Sequence, residues 1–275
     1  MIGPLRLITY LSPGIPFELF ATVARALGPD TQLVSDPRAS GPPRGEVDPF
    51  RGGEADVGFV CAPAYLALVR DEAEPAVELL GMAAVFDDPR AEGRPVYFAD
   101  VVVGAHPARS LADLRGSRLG FNDTESLSGL LALLVHLADI GESLDYFSSI
   151  VCTGSHEASL RALADGRIDV ATIDATTLRT SRHDPLVHAV RTVASLGPLP
   201  IQPIIVRADM AEPARDWLRA TLRRLSTDPG SRAQLLQLGC VGFAEASHAD
   251  YEPLERRLLP WLEPLRALAT APTTI

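Results

Sequence analysis

Two stretches of this 275-residue chain put hydroxyl and imidazole groups where a strand gives way to a helix. The first is Arg118-Leu-Gly-Phe-Asn-Asp-Thr-Glu-Ser-Leu-Ser-Gly-Leu-Leu131. An apolar run of strand length ends at Asn122-Asp123, and a helical pattern opens around Ser126-Leu127-Ser128-Gly129. At such a junction, free backbone N–H groups and the positive end of the helix macrodipole meet, and the two serine hydroxyls add donors. That combination binds an oxyanion without any formal positive charge. Ser126 also suits a plain helix cap, and the spacing leaves both roles open. The second stretch, Val151-Cys-Thr-Gly-Ser-His-Glu-Ala-Ser-Leu160, repeats the logic with Thr153, Ser155 and His156 as donors and Glu157 in the first helical turn. His156 either donates to an anion or is a solvated residue of that turn. Asp123, Asp174 and His156 are the plausible acid–base groups. With no nucleophile–base pair and no cofactor fingerprint, neither a catalytic residue nor a cofactor is assigned.

Composition narrows the partners. The formal charge is −10, which disfavours nucleic acid, because duplex binding needs a basic patch that neutralises phosphates. An anion bound here is held by local dipoles and hydrogen bonds against the overall field. All 25 basic residues are Arg; the absence of Lys excludes Schiff-base chemistry and the lysine of a phosphate-binding P-loop. Cys61, Cys152 and Cys240 are isolated and the His residues scattered, so neither a metal site nor a disulfide framework is expected. A mean hydropathy of +0.12 fits a packed globular protein. No stretch approaches the ~20 apolar residues of a membrane span, and residues 1–10 lack the pattern of a secretory signal. As written, the chain is expected to be cytoplasmic.

The elements that must position these groups alternate between strand-length apolar runs and helical patterns, the signature of an α/β architecture. Strands are expected at 5–10, 31–35, 55–61, 77–86, 95–104, 117–122, 149–153, 168–174 and 200–207. Helices are expected at 17–27, 62–71, 126–140 and 156–164, from Pro213, from Gly230, and in an Arg/Leu-rich C-terminal segment. Ser12-Pro13-Gly14 reads as a turn and Pro37–Gly53 as a surface loop. No internal repeat is evident. Two β/α series joined by extended stretches at 95–104 and 200–207 suggest two lobes, residues 1–98 with 203–275 and residues 99–202. In such sheets ligands sit beyond the carboxyl ends of strands, so a site is expected between the lobes.

The same residues carry a family resemblance. Ser110-Leu-Ala-Asp-Leu-Arg-Gly-Ser-Arg-Leu-Gly-Phe-Asn-Asp123 with Ser126-x-Ser128-Gly129, and Gly154-Ser-His-Glu-Ala-Ser-Leu-Arg-Ala-Leu-Ala-Asp-Gly-Arg-Ile-Asp-Val-Ala171, resemble stretches of the phosphonate/phosphite/phosphate-binding components of ABC transporters. Gly53–Phe59, Pro95–Tyr97, Leu199–Pro203 and Asp250–Leu254 match further landmarks in the same order. The resemblance implies a type II periplasmic-binding fold, two-lobed with a double-crossover hinge, that takes a small oxyanion. It also implies an ABC permease as partner, and an extracytoplasmic location if the true start lies upstream. It assigns Ser126, Leu127, Ser128 and His156 to the anion's oxygens, with Leu127 replacing a hydroxyl of the family pattern. Tyr97 matches an aromatic lining residue. Asp174 and Thr176 on one segment and Gln202 on another stand where aminophosphonate binders place carboxylates; Asp174 remains able to meet an ammonium, whereas Gln202 cannot pair with one as a carboxylate does. Tyr10 and Cys61 are expected to face the site from the other lobe. A sensor, or a cytoplasmic chorismate-dehydratase-like lyase on the same fold, are the alternative readings.

Overall fold

The computed structural model describes residues 4–12, 14–37, 40–42, 47–70, 73–258 and 261. Pro13 of the expected turn, parts of the expected 37–53 loop, the end of the helix expected to reach Asp71 and most of the expected C-terminal helix lie outside the described residues. In chain order the strands are β1 (Arg6–Thr9), β2 (Gln32–Ser35), β3 (Val57–Phe59), β4 (Val77–Phe86), β5 (Val96–Val103), β6 (Arg118–Phe121), β7 (Ser149–Cys152), β8 (Val170–Asp174), β9 (Arg191–Pro200), β10 (Pro203–Arg207) and β11 (Cys240–Glu245). No described helix is long and apolar enough to cross a membrane.

The chain divides into two units: residues up to Val96 with Pro200–Pro253, and Tyr97–Leu199 with the residues from Leu254. This division departs from the sequence-based one in three places. Tyr97 falls in the second unit, near the start of β5, whose residues Ala99–Val103 pair with β8. Gln202 falls in the first unit, where the adjoining Ile201 N–H donates to the Pro95 carbonyl and Pro203 opens β10. The described residues from Leu254 group with the second unit, where Arg257 pairs with Asp139 at the end of the helix Ala132–Asp139.

In the first unit the strands run in the order β11-β4-β10-β3-β1-β2. β1 is parallel to both β2 and β3, whereas β10 is antiparallel to β3 and β4, and β11 to β4. The helix Phe17–Leu27 buries Leu19, Phe20, Val23, Ala24 and Leu27 and leaves Glu18 and Arg25 outside, as its 3.6-residue apolar stripe requires.

In the second unit the order is β7-β6-β8-β5-β9, with β6 parallel to β7 and β8, and β5 antiparallel to β8. Val102, Ala171 and Ile173 of this sheet pack against Leu160, Ala162 and Leu163 of the helix His156–Ala164 and against Ile168. Each larger aliphatic side chain contributes roughly 1.5–3 kcal/mol by leaving water. Gly120 in the middle of β6 lets Ile168 close over the strand; a Cβ there would collide with the Ile168 side chain.

Both units share a device that the sequence analysis, which found no repeat, did not reveal. At the amino end of the first unit's sheet, Arg6 opens β1, and Asp56, just before β3, accepts from the Arg6 N–H (2.9 Å), Nε (2.9 Å) and Nη2 (2.8 Å). In the second unit, Arg118 opens β6, and Asp169, just before β8, accepts from its N–H (2.8 Å), Nε (3.0 Å) and Nη2 (2.7 Å). Each carboxylate fixes one strand start against its neighbour by a bidentate, charge-assisted contact. The side-chain hydrogen bonds from Arg118 hold the Asp169 carboxyl below its ordinary pKa despite partial burial. For Asp56, burial pushes upward most strongly, but the Arg6 hydrogen bonds and the charges of Arg6 and Arg207 together outweigh it.

Candidate functional site

The parallel strands β7, β6 and β8 lie side by side, and each runs at its carboxyl end into a helix start. This follows from the β-α-β connection, which returns every parallel strand to the same edge. After β6, a turn at Asp123 accepts the Glu125 N–H on its carboxylate (3.0 Å) and the Ser126 N–H on its carbonyl (3.2 Å). Ser126 then caps a π-helical turn, Leu127–Leu131, which continues as the helix Ala132–Asp139. The Ser126 hydroxyl accepts from the Gly129 N–H at 3.1 Å, and the Ser126 carbonyl accepts from Leu130 (3.2 Å) and Leu131 (3.1 Å). The N–H groups of Leu127 and Ser128 precede these bonds and have no acceptor within the helix. A π-turn inserted at such a point is a common feature of functional sites. The buried Thr172 hydroxyl of β8 ties the turn down by donating to the Gly129 carbonyl at 2.6 Å.

The turn separates roles that sequence reasoning joined. Ser126 and Ser128 are both buried at the helix start. The Leu127 side chain is fully buried in the core. Where the family pattern has a hydroxyl, this chain therefore brings no side-chain donor to the turn.

The neighbouring junction is built alike. Phe121 of β6 pairs with Cys152 of β7, and Thr153 just beyond donates to the Phe121 carbonyl from its N–H (2.7 Å) and its hydroxyl (2.8 Å). Ser155 caps the helix His156–Ala164 by accepting from the Ala158 N–H at 3.0 Å. His156 is the first helical residue. Its Nδ1 is buried without a hydrogen-bond partner, and burial pushes its pKa down to about 4, so the ring is neutral at pH 7. The Cys152 thiol is pushed upward by burial and, more weakly, by the charge of Asp123, against a hydrogen bond from the Gly154 backbone. It is a protonated thiol and no nucleophile at neutral pH.

Asp174 ends β8, caps the helix Ala175–Thr180 and accepts from the Thr176 N–H at 2.7 Å. Its register opposite Ala99 places the start of β5, with the buried Tyr97, at this same edge. The sheet thus brings Tyr97, Asp123, Ser126, Leu127, Ser128, His156 and Asp174 together at one end of the second unit. In the first unit, Tyr10 follows β1, Cys61 follows β3 and Gln202 precedes the antiparallel β10, so all three sit at the carboxyl end of that sheet. Cys61 precedes the helix Ala62–Val69 without capping it by its side chain.

Asn122, Thr172 and Tyr251 escaped sequence reasoning as site features. Asn122 closes β6 one residue before Asp123, and its Oδ1 is buried without a partner. Tyr251 is fully buried in the first unit, with its ring edge-on to Tyr65, whose hydroxyl meets His248 Nδ1 at 2.8 Å. A cavity of about 550 Å³ in the first unit lies at the opposite, amino end of β1 and β3. Its charged residues Arg6, Asp56, Arg207 and Asp209 are paired with one another, and it contains none of the candidate residues. Among the described residues no His, Cys, Asp and Glu cluster has a metal-binding arrangement.

Comparison with curated protein sequences finds no match. Among solved structures, the chain is similar to the binding protein component of an ABC phosphonate transporter from Pseudomonas aeruginosa, with a TM-score of 0.74 and 17% identity over 98% of this chain and 89% of that one. It is similar to PhnD1 from Prochlorococcus marinus in complex with methylphosphonate, with a TM-score of 0.74 and 15% identity over 94% and 97% of the two chains. A protein from Xanthomonas citri bound to ATP aligns with a TM-score of 0.67 and 19% identity over 98% of each chain. At these identities the structural likeness shows the fold, that of the two-lobed periplasmic binding proteins. Residues 44–251 match the family described as "ABC transporter, phosphonate, periplasmic substrate-binding protein", and the chain belongs to that family of solute-binding proteins.

Proposed function

We propose that this protein binds a small oxyanion of the phosphate, phosphite or phosphonate type at the adjacent helix starts of its second unit. The observation that carries this reading is the pairing of two strand-to-helix junctions on neighbouring parallel strands, with His156 Nδ1 buried and unpartnered at one of them. The Ser126 and Ser128 hydroxyls, the N–H groups of Leu127 and Ser128, and His156 supply the donors. The positive ends of the two helix dipoles replace the formal charge that a chain of net charge −10 does not bring there. The carboxylates of Asp123 and Asp174 at the same edge each accept a backbone N–H of their own turn.

Gln202, at the carboxyl end of the first unit's sheet, is a neutral amide and offers no charge to an ammonium. Together with the capping role of Asp174, it favours a solute without a cationic substituent. Tyr97, Tyr10 and Cys61 are assigned as further contacts of the bound solute. In keeping with the family, the protein acts outside the cytoplasm and delivers its solute to an ABC permease, without chemical turnover.

The test is a thermal-shift screen against inorganic phosphate, phosphite and methylphosphonate, followed by mass spectrometry of the recovered ligand. A ligand at a hundred times its Kd adds ~2.7 kcal/mol and raises Tm by on the order of 5–10 °C. The reading predicts such a shift with at least one of the three and recovery of that ligand unchanged. A chemically altered product would move the assignment to an enzyme.

A further inference from the structure

We propose that Asn122 is a further ligand-binding residue of this site, its side-chain NH2 group donating to an oxygen of the bound anion; this rests on the oxyanion reading above. Asn122 stands between the two helix starts. On one side its carbonyl takes the Cys152 thiol at the end of β7, at 3.7 Å. On the other, its side chain reaches the π-helical turn, where a Cβ on Gly129 would collide with Asn122 Oδ1 and come within 2.9 Å of Ser126 Oγ. The absence of a side chain at Gly129 is what admits the amide to the helix start.

The orientation of the amide decides its role. Oδ1 is turned inward and buried with no donor. The residue as a whole is half-buried, not fully enclosed. In a planar amide the NH2 lies on the opposite branch from the oxygen, and of this amide's two polar atoms only Oδ1 is buried without a partner. The N–H groups of Leu127 and Ser128, which have no acceptor within the helix, belong to the turn that this side chain reaches. An amide NH2 has two donors and no acceptor, which suits an oxyanion and gives nothing to a cation. A buried carbonyl without a donor is unfavourable in itself, and a purely structural residue at this point gains nothing from carrying one. The cost is explained if the other half of the amide works on a ligand. The fully buried Leu127 side chain provides no donor to this turn, and Asn122 supplies one from the strand.

The experiment is isothermal titration of the full chain with inorganic phosphate, phosphite and methylphosphonate, for wild type, Asn122→Ala and Asn122→Asp, with Tm recorded for each. A lost hydrogen bond to a charged group weakens binding by roughly 10- to 150-fold, and this is expected for Asn122→Ala with whichever probe binds wild type. Its Tm should be unchanged or higher, because the orphan carbonyl is gone. Asn122→Asp keeps shape and acceptor but replaces the donor with a negative oxygen. It should bind more weakly still at pH 7, with the deficit against wild type shrinking toward pH 5 as the new carboxyl takes up a proton. Wild-type affinity in Asn122→Ala, or a loss of affinity matched by a fall in Tm, overturns this inference while leaving the oxyanion reading standing. A wild-type protein that binds none of the three probes overturns both.

Discussion

Replacing His156 by Gln should remove an acid sensitivity that the wild-type fold carries. In the folded chain His156 titrates at about 4, because its Nδ1 is buried without a partner. Its position at the first residue of a helix also disfavours a cation. In the unfolded chain it titrates near 6.5. Between those values the unfolded state binds the proton and the folded state does not, so stability falls as pH drops from about 6.5 to about 4 and is fully present above that window. A difference of ~2.5 units corresponds to roughly 3 kcal/mol, a large part of the ~5–15 kcal/mol that holds a typical domain together. Urea denaturation of wild type and His156→Gln at pH 7.5, 6, 5 and 4.5 reads this directly. The gap between the two should shift by up to roughly 3 kcal/mol in favour of the variant as pH falls. With saturating phosphate or phosphonate the shift should shrink, because an anion beside the ring favours its charged form. Parallel stability curves with no ligand present would refute the reasoning, since a solvated His156 has no depressed pKa.

Three further outcomes follow from named contacts. Leu127→Ala should cost ~2–5 kcal/mol of stability, measured by urea denaturation, with no specific loss of anion affinity, because its side chain fills the core. Asp169→Asn should cost about 1–3 kcal/mol at pH 7 by removing the clamp on Arg118. The Asp169 carboxyl is held below its ordinary pKa, so its contribution is present above about pH 4 and lost as pH falls further; the gap to wild type should close there in denaturation curves. In competition titrations, 2-aminoethylphosphonate should bind more weakly than methylphosphonate, because Gln202 offers no charge and Asp174 is engaged by the Thr176 N–H. Tighter binding of the amino compound would contradict the role given to Gln202.

The strands that carry the site were legible because they are short apolar runs ended by turn chemistry, as at Arg118–Phe121 before Asn122-Asp123 and at Val170–Asp174. Both helix starts were legible from Ser126 and Ser155, whose hydroxyls cap them. β9, Arg191–Pro200, was not legible: it is largely solvent-facing, carries Pro198 and Pro200, and shows no apolar alternation. The helices Ala175–Thr180 and Pro185–His188 are too short for a 3.6-residue period to emerge. Leu127 entered the candidate site through the family pattern, where it replaces a hydroxyl; that its side chain fills the core is visible only in the fold. A π-turn changes which residues point inward, and no composition rule announces one. The Arg6–Asp56 and Arg118–Asp169 clamps join residues 50 and 51 positions apart, so only the folded register reveals them. Asn122 was visible only as the end of a strand, and its significance needed the buried Oδ1 against Gly129.

The central claim is that an oxyanion is held at the junctions of β6 and β7 with their helices. Titrating wild type, Ser128→Ala and His156→Ala with inorganic phosphate, phosphite and methylphosphonate tests it most directly. The account predicts that wild type binds at least one probe and that each variant binds it roughly 10- to 150-fold more weakly. Retention of wild-type affinity by both variants, for a probe that wild type binds, would contradict the account and place the anion elsewhere.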